Sequence, residues 1–424
     1  MEIYVTKPGD TLEQIASRYG ISLSLLLQQN QLENPNQLVV GQTILILYPQ
    51  QLYTVQPGDT LSKIATDYRT SYNQLFRNNP SLRARTQIYP GQQLVISYQE
   101  ERLGDLSVNG YAYPNIDLEL LRQTMPFLTY VTPFTYGFTT YGELIPPDDS
   151  AILALAREYG VLPLLHLSTL TSQGNFSNEL AHLALTDRTV QQRLIDNVVE
   201  TAIQKGYAGV DVDFEFVYPS DRAEYPAFVE RLQQRLQPLG KIVIAALAPK
   251  TSADQKGSLY EGHDYRMIGA AADAVLLMTY EWGYTYGPPM AVAPIQSVRK
   301  VLEYAISEIP ANQIYLGIPN YAYDWKLPFS RGTSRATLIS NVEAVSLART
   351  HNQAISFSEP DQTPYFGYQA DGVSHEVWFE DARSIRAKLQ LAAEYTLYGV
   401  GYWNLMRPFP QNWQLLNALF RIRQ

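Results

Sequence analysis

The chain has 424 residues, of which 46% are hydrophobic and 17% charged, and its formal net charge is −9. This length exceeds what one compact core usually holds, so we expect two or more globular domains. The acidic balance without a basic run argues against a nucleic-acid partner, the longest apolar runs are too short for a bilayer span, and the absence of cysteine excludes disulfides and thiolate chemistry.

The N-terminal segment Met1–Val5 has neither the basic nor the apolar region of a secretory signal peptide, so no export signal is expected in this chain. Histidine occurs five times, and no two histidines have the spacing of metal ligands. We therefore predict neither a metal nor a cofactor.

Residues 3–47 and 52–96 repeat each other. Asn30 of the first copy recurs as Asn79 of the second, at the same offset as the Gly-Asp-Thr-Leu runs that open each copy. In each copy, a β-branched strand leads into a Pro-Gly turn, Asp10 or Thr11 (in the first) can cap a helix, and apolar residues then recur at helical spacing. The pattern predicts a strand, two helices and a closing strand in modules at residues 2–48 and 51–98.

Both copies resemble LysM modules. The shared signature is Val-x-x-Gly-Asp-Thr-Leu-x-x-Ile-Ala, then Asn, then Gly-Gln-x-Leu-x-Ile, with Thr for Val at position 6 or 54 depending on the alignment. The resemblance implies binding of N-acetylglucosamine-containing glycans such as peptidoglycan or chitin. The expected groove lies between the first turn and the loop before the last strand (residues 32–36 and 82–86). The turn residues it implies are Gly9, Asp10, Thr11, Leu12, Gly58, Asp59, Thr60 and Leu61. Gly-Asp-Thr also suits turn and capping chemistry, which is compatible with glycan binding.

From residue 106 onward, apolar strands alternate with helical patterns. The predicted strands cover 107–112, 128–138, 161–168, 209–215, 242–246, 274–279, 314–318 and 399–404. Helical periodicity lies between them at 150–159, 189–205, 225–237, 295–307 and 381–395. This order predicts an α/β fold, a (β/α)8 barrel at residues 104–424. A doubly wound sheet is the alternative, but its Gly-rich phosphate fingerprint is missing.

Two further segments complete the predicted organisation. The linker from Tyr98 to Gly104 is short and polar, so we expect the modules to lie close to the barrel. Residues 325–378, between the seventh and eighth strands, contain one helix (341–350) and three short strand candidates (355–358, 364–369 and 376–379). They predict a small α+β insertion at the C-terminal rim, where barrel active sites lie.

Three acids alternate on the fourth predicted strand, 209–215. Because strand side chains point alternately to two faces, Asp211, Asp213 and Glu215 share one face. The residues between them, including Phe214, must pack outward on helices, so the acids point into the barrel and Glu215 reaches its mouth. Carboxylates enclosed together repel, and at least one should hold a proton near neutral pH. A divalent-cation site is the alternative.

A protonated Glu215 can supply the proton that glycoside cleavage requires at the leaving oxygen. Two-carboxylate retaining enzymes need a nucleophile across the sugar from the acid, about 5 Å away. Asp213 lies on the same side as Glu215 and does not suit that role. The arrangement favours a substrate-assisted mechanism, in which the 2-acetamido oxygen of the sugar attacks C1 and Asp213 stabilises the acetamide N–H.

The strand resembles the Asp-x-x-Asp-x-Asp-x-Glu signature of family 18 glycoside hydrolases, with Ala208 at the position of the first acid. Met278-Thr279-Tyr280-Glu281-Trp282-Gly283 resembles the Met-x-Tyr-Asp motif of that family, with Glu in place of Asp. The catalytic residues that the resemblance implies are Glu215, Asp213, Asp211 and Tyr280, of which Tyr280 would bind the acetamido carbonyl. The implied substrate-binding residues are Trp403, as the floor of the −1 subsite, Glu281, Trp282, Tyr111 and Tyr323. A tyrosine near a barrel rim is commonly only a packing residue, which is the alternative for Tyr111 and Tyr323.

Residues 278–294 and 401–413 resemble more specifically the spore peptidoglycan N-acetylglucosaminidases of bacilli, which place two LysM modules before a family 18 barrel. The resemblance implies hydrolysis of the bond after N-acetylglucosamine in peptidoglycan, at the spore coat or cortex or at an extracellular cell wall. We expect a glycan partner, no nucleic acid, no membrane and a monomer. A chitinase and a non-catalytic lectin are the alternatives, although the intact Glu215 argues against the lectin.

Overall fold

The computed structural model describes residues 1–99, 102–171 and 173–424. Glu100 and Glu101, which belong to the predicted linker, lie outside the described residues. Within the described ranges, no helix is both long and apolar enough to cross a membrane. Helices and strands are numbered below in chain order.

The two N-terminal modules have the predicted order of strand, helix, helix and strand. The first contains β1 (Glu2–Val5), α1 (Leu12–Tyr19), α2 (Leu23–Asn30) and β2 (Thr43–Ile46), and the second β3 (Pro49–Thr54), α3 (Leu61–Asp67), α4 (Tyr72–Asn78) and β4 (Gln93–Tyr98). In each module the two strands pair antiparallel. Thr11 begins α1 with a capping box that includes Gln14, and Gly20 ends it in the left-handed conformation, at φ 64°.

Eight parallel strands form a closed barrel. In chain order they are β5 (Gly104–Ala112), β6 (Tyr130–Pro133), β9 (Leu162–Ser168), β10 (Gly209–Asp213), β11 (Ile242–Leu247), β12 (Ala274–Leu277), β13 (Ile314–Pro319) and β19 (Gly399–Trp403). Each strand pairs with the next, and β19 pairs with β5, which closes the ring. The predicted (β/α)8 barrel is confirmed. Three short strands lie outside the ring: β7 (Gly137–Phe138), β8 (Leu144–Ile145) and β20 (Phe420–Ile422).

Helices surround the barrel. They are α5 (Leu118–Thr124), α6 (Ser150–Tyr159), α7 (Asn178–Thr186), α8 (Arg188–Lys205), α9 (Glu224–Leu236), α10 (Tyr265–Ala271), α11 (Ile295–Glu308), α13 (Ala382–Glu394) and α14 (Pro410–Leu419). All five predicted helices are present, and α8 shows why they could be read from the sequence. Asp187 caps its first turn, and Gly206 ends it at φ 76°.

The insertion between β13 and β19 is a five-stranded antiparallel sheet with one helix. Its elements are β14 (Ala322–Leu327), β15 (Thr337–Ile339), α12 (Asn341–Thr350), β16 (Ser356–Ser358), β17 (Thr363–Ala370) and β18 (Val373–Trp378). The helix and three of the strands were predicted. The other two, β14 and β15, were missed; two residues separate the end of β13 from β14, which pairs with both β15 and β18.

Helix α14 joins both N-terminal modules to the barrel through amide side chains on one face. Gln411 donates to Asn30 of the first module at 2.8 Å, and Asn417 donates to Asn78 of the second at 2.9 Å. Between them, Gln414 donates to a backbone carbonyl of the second module. The modules are therefore docked on the barrel, whereas the short linker predicts only that they lie close to it.

The second module also shares its hydrophobic core with the barrel. Phe76 is 6% exposed and packs edge-on against Tyr159 of α6, with ring centroids 6.1 Å apart. The Tyr159 hydroxyl donates to the backbone carbonyl of Ala84 at 2.5 Å, and Arg85 forms an ion pair with Glu119 of α5. Ala84 and Arg85 belong to the loop that we predict to line the glycan groove of this module.

The corresponding loop of the first module contacts the insertion. Glu33 accepts a hydrogen bond from Ser346 of α12, and the backbone N–H of Ile355 donates to the carbonyl of Val40 at 2.8 Å. A Cβ at Gly41 would lie 2.0 Å from the Ile355 carbonyl oxygen, so only glycine permits this approach. In both modules one wall of the predicted groove therefore contacts the barrel domain or its insertion.

Candidate active site

The acids of β10 lie inside the barrel because their neighbours pack outward. Val210 and Val212 are fully buried, and Phe214 stacks on Tyr225 and Phe228 of α9 at 5.6 and 5.3 Å. The strand pairing ends at Asp213, two residues earlier than predicted. Glu215 therefore projects beyond the strand at the C-terminal mouth.

Glu215 lines a cleft with two lobes at this mouth. One lobe has a volume of about 720 Å³ and contains Asp213 and Trp403. The other has a volume of about 520 Å³ and contains Trp282. Glu215 lines both lobes, as do Tyr280 and Glu281. A bond that crosses from one lobe to the other would pass this acid, so we term them the Trp403 lobe and the Trp282 lobe.

Asp211 lies below the cleft and is fully buried. It accepts a hydrogen bond from the Tyr111 hydroxyl at 2.6 Å. Burial raises the pKa of Asp211 to about 6, although His166 and the Tyr111 hydrogen bond act in the opposite direction. Ala208 packs against the apolar interior of the barrel. At the position where the family signature has its first acid, this chain therefore has a small apolar residue that packs in the core.

Asp213 lies next to His166 of β9. The His166 Nε2 atom is 3.4 Å from Asp213 Oδ2, and its Nδ1 atom is 2.6 Å from the Thr135 hydroxyl. Thr135 also contacts the Ser168 hydroxyl at 2.9 Å. The Nε2 atom of His166 faces the Asp213 carboxylate without a hydrogen bond to it.

The Glu215 carboxyl group is in a surrounding that favours its protonated form. Burial, together with the charges of Asp213 and Glu281, raises its pKa to about 7. A carboxylic acid that keeps its proton near neutral pH can donate it to a leaving oxygen. The side chain is partly exposed to the cleft, where such an oxygen would lie.

Glu281 is held by two tyrosines. It accepts hydrogen bonds from Tyr321 at 2.5 Å and from Tyr323 at 3.1 Å, and burial raises its pKa. Its backbone adopts the left-handed conformation, at φ 67°, which is uncommon for a residue with a side chain. The adjacent Tyr280 is 9% exposed and lines both lobes of the cleft.

Aromatic rings form the far wall of the Trp403 lobe. Trp403 makes edge contacts with Tyr111, Tyr113 and Phe134, at centroid distances of 5.6, 6.0 and 5.0 Å. Phe176 completes this wall. Flat aromatic surfaces of this kind suit the C–H faces of a pyranose ring.

The structure brings the predicted barrel residues together around one cleft. Seven of the nine predicted residues line the cleft directly. The other two contact residues that line it: Asp211 accepts a hydrogen bond from Tyr111, and Tyr323 donates one to Glu281. Sequence reasoning missed His166, Thr135, Tyr113, Phe134 and Phe176. No spacing rule joins these residues to β10, because they come from neighbouring strands and rim loops.

In the modules, the Gly-Asp-Thr-Leu runs form the turn and the helix cap. Asp10 accepts from the Tyr4 hydroxyl and the Lys7 backbone N–H at 2.6 and 2.7 Å, and Asp59 has the equivalent contacts. Leu12 and Leu61 are 2% and 1% exposed. Their side chains belong to the module cores, so only their backbone atoms could line a glycan groove.

The cation alternative for the three acids finds no support in the geometry. Across the residues that the structure describes, no group of three or more His, Asp or Glu side chains converges as a metal site requires. The acids instead have separate surroundings: Asp211 accepts a hydrogen bond from Tyr111, Asp213 lies beside His166, and Glu215 faces the cleft.

Known protein families and individual relatives match this chain. The model of glycosyl hydrolases family 18 matches residues 166–407, and the LysM domain model matches residues 4–47 and 53–97. The cortical fragment-lytic enzyme of Bacillus subtilis (strain 168) is 41% identical, over 100% of this chain and 99% of that protein. The corresponding enzyme of Bacillus anthracis is 40% identical, over 100% of this chain and 99% of that protein.

A solved structure shows the same architecture. The spore cortex-lytic enzyme SleL of Bacillus megaterium QM B1551 superposes with a TM-score of 0.84 and 38% identity, covering 99% of this chain and 98% of that one. The matched family region includes β10, the residues that line the Trp282 lobe, and Trp403. The chain therefore belongs to glycosyl hydrolases family 18, as a glycoside hydrolase with two N-terminal LysM domains.

Proposed function

We propose that this protein is an N-acetylglucosaminidase that hydrolyses the glycosidic bond after N-acetylglucosamine in peptidoglycan, with retention of configuration. The observation that carries the proposal is the placement of Glu215 between the two lobes, with Asp213 beside it on the same face. The N-acetylglucosamine would occupy the Trp403 lobe, and the leaving saccharide would occupy the Trp282 lobe.

The reaction is substrate-assisted. Glu215 donates its proton to the glycosidic oxygen as the C1–O bond breaks, and the acetamido carbonyl oxygen attacks C1 to form an oxazolinium ring. Asp213 stabilises the acetamide N–H as positive charge develops there, and the Tyr280 hydroxyl orients the carbonyl. Water then opens the ring while the Glu215 carboxylate takes its proton, so the product keeps the original configuration.

The LysM domains and the relatives support peptidoglycan as the polymer. When the two docked modules bind a repetitive glycan, they keep the catalytic cleft close to the polymer. The apparent affinity for the polymer rises although the cleft itself makes no additional contact with it. The relatives reported above are cortical fragment-lytic or spore cortex-lytic enzymes by name. We therefore propose that the protein acts, as a monomer, on spore cortex peptidoglycan or its fragments.

Product analysis tests this assignment. Purified cortex fragments and chitin oligomers of matched length are digested in parallel, and the new reducing ends are reduced with borohydride and identified by mass spectrometry. We expect N-acetylglucosaminitol ends and a clear preference for the cortex fragments. Muramitol ends would reject the assignment of the bond, and a preference for chitin would favour the chitinase alternative.

A thiazoline analogue of the cyclised intermediate should inhibit strongly, and failure to inhibit would contradict the substrate-assisted mechanism.

A further inference from the structure

Two tyrosines on the rim loop between β12 and α11 extend into solvent. Tyr284 is 41% exposed and Tyr286 is 55% exposed. The backbone around them is fixed, because Trp325 donates its indole N–H to the carbonyl of Gly287 at 2.8 Å. A Cβ at Gly287 would lie 2.6 Å from the Tyr284 ring, so that ring rests directly on the loop. These rings are exposed on an ordered support.

An arginine of the insertion lies over one of the rings. Arg335 is exposed, its guanidinium carbon is 5.1 Å from the Tyr286 ring centroid, and it donates to the Tyr286 hydroxyl at 3.1 Å. No carboxylate of the described residues lies within ion-pair distance of it. By contrast, Arg85 and Arg299 each bind a glutamate elsewhere on the surface. In a chain with a net charge of −9, this guanidinium is open to an external anion.

The tyrosines continue from the leaving-group side of the cleft. They follow Trp282 on the same loop, and Trp282 lines the lobe that we assign to the leaving saccharide. The Thr285 hydroxyl lies 3.3 Å from the Tyr323 hydroxyl, and the Ala336 backbone N–H donates to the Thr285 carbonyl at 2.7 Å. Hydrogen bonds therefore link the rim beside Arg335 to the wall that holds Glu281.

We propose that Tyr284, Tyr286 and Arg335, the Arg335 patch, bind a carboxylate-bearing saccharide beyond the Trp282 lobe. The ring faces would stack on sugar C–H groups, and the planar guanidinium would hold a carboxylate with two parallel hydrogen bonds. Peptidoglycan carries such carboxylates on the peptides attached to its muramic acid residues, whereas chitin has none. The inference rests on the proposed function and adds to it a physical basis for preferring the charged polymer.

Binding measurements in an inactive background test the patch separately from catalysis. The dissociation constants of Glu215→Gln and of Glu215→Gln/Arg335→Ala are measured by calorimetry for cortex fragments, for the same fragments with amidated carboxylates, and for chitin oligomers. We expect the second substitution to weaken binding of the charged fragments about 5- to 20-fold, near the lower end of what one charge-assisted hydrogen bond contributes, because the site is exposed. Binding of amidated fragments and chitin should change less than about twofold.

Three comparisons make the result decisive. Lys300→Ala on α11, an exposed site away from the cleft, removes the same charge and should leave all three affinities unchanged. Added salt should weaken binding of the charged fragments to the protein that retains Arg335, and should have little effect on their binding to the Arg335→Ala protein. Tyr286→Ala should weaken the binding of all three glycans, because the ring that stacks on the sugar is lost. Equal effects of Arg335→Ala on charged and amidated fragments, or no effect on either, would overturn the proposal. Failure of the proposed function would appear elsewhere, as wild-type protein that yields no N-acetylglucosamine ends.

Discussion

The Nε2 atom of His166 lies 3.4 Å from the Oδ2 atom of Asp213, on adjacent barrel strands. In the family signature, the first acid of the strand supports the others, and Ala208 stands at that position here. On the next strand, the His166 ring lies beside the Asp213 carboxylate instead. We infer that this polar ring positions the carboxylate without adding another negative charge.

Loss of this imidazole should lower turnover while leaving the fold intact. His166→Ala is expected to reduce kcat about 10- to 100-fold, because Asp213 loses the polar ring that lies beside it. His166→Gln, which keeps an N–H donor, should recover part of the loss. Steady-state kinetics and the melting temperature separate a positioning role from a folding defect. His182, whose Nδ1 atom is 2.8 Å from Asp221 outside the cleft, is the matched histidine–carboxylate control, and His182→Gln should retain full kcat. Equal kcat in His166→Ala and wild type would contradict the positioning role.

The raised pKa of Glu215 predicts the alkaline side of the pH–activity profile. The acid must be protonated to act, so kcat/KM should fall as the pH rises through about 7. Glu281 contributes to this raised pKa through its charge. Glu281→Gln should therefore lower the pKa of Glu215 and move the alkaline limb to lower pH. Glu200→Gln, an exposed change on α8, should leave the limb in place. A limb that stays fixed in Glu281→Gln would contradict this electrostatic coupling.

The shared core of the second LysM domain and the barrel predicts a loss of stability when the contact is cut. Phe76→Ala removes a buried ring between the two and should lower the free energy of unfolding by about 3–5 kcal/mol. Thermal unfolding should remain a single transition, because the core is continuous. Tyr89, in the same module and 60% exposed, is the control, and Tyr89→Ala should change stability by less than about 0.5 kcal/mol. Two separate unfolding transitions in wild type would contradict the shared core.

Sequence reasoning succeeds where one local rule decides the outcome. Alternation along β10 places Asp211 and Asp213 inside the barrel, because the buried valines that alternate with them leave no other orientation. The same rule cannot supply His166, since its contact with Asp213 depends on the pairing of β9 with β10. Nor can it supply Phe134, which reaches Trp403 from the end of another strand.

The docking of the modules shows a second limit. The repeat predicts each LysM fold from its own signature, and both folds are present. Their position depends on Gln411 and Asn417 of α14, more than 300 residues away along the chain from the partners they bind. Amide side chains on a helix have no sequence signal that distinguishes docking from solvent exposure. Such contacts follow only from the assembled surfaces.

The central claim is that Glu215 protonates the leaving oxygen, and leaving-group dependence tests it most directly. Turnover of Glu215→Gln is compared with wild type on a cortex glycan and on a 2,4-dinitrophenyl glycoside of an N-acetylglucosamine oligomer, whose phenolate leaves without a proton. We expect a loss of roughly 10³-fold or more on the glycan and a far smaller loss in the bond-breaking step of the aryl substrate, seen as a burst of phenolate. Equal losses on both substrates, or near-normal turnover of the glycan, would contradict the assignment of Glu215 as the catalytic acid.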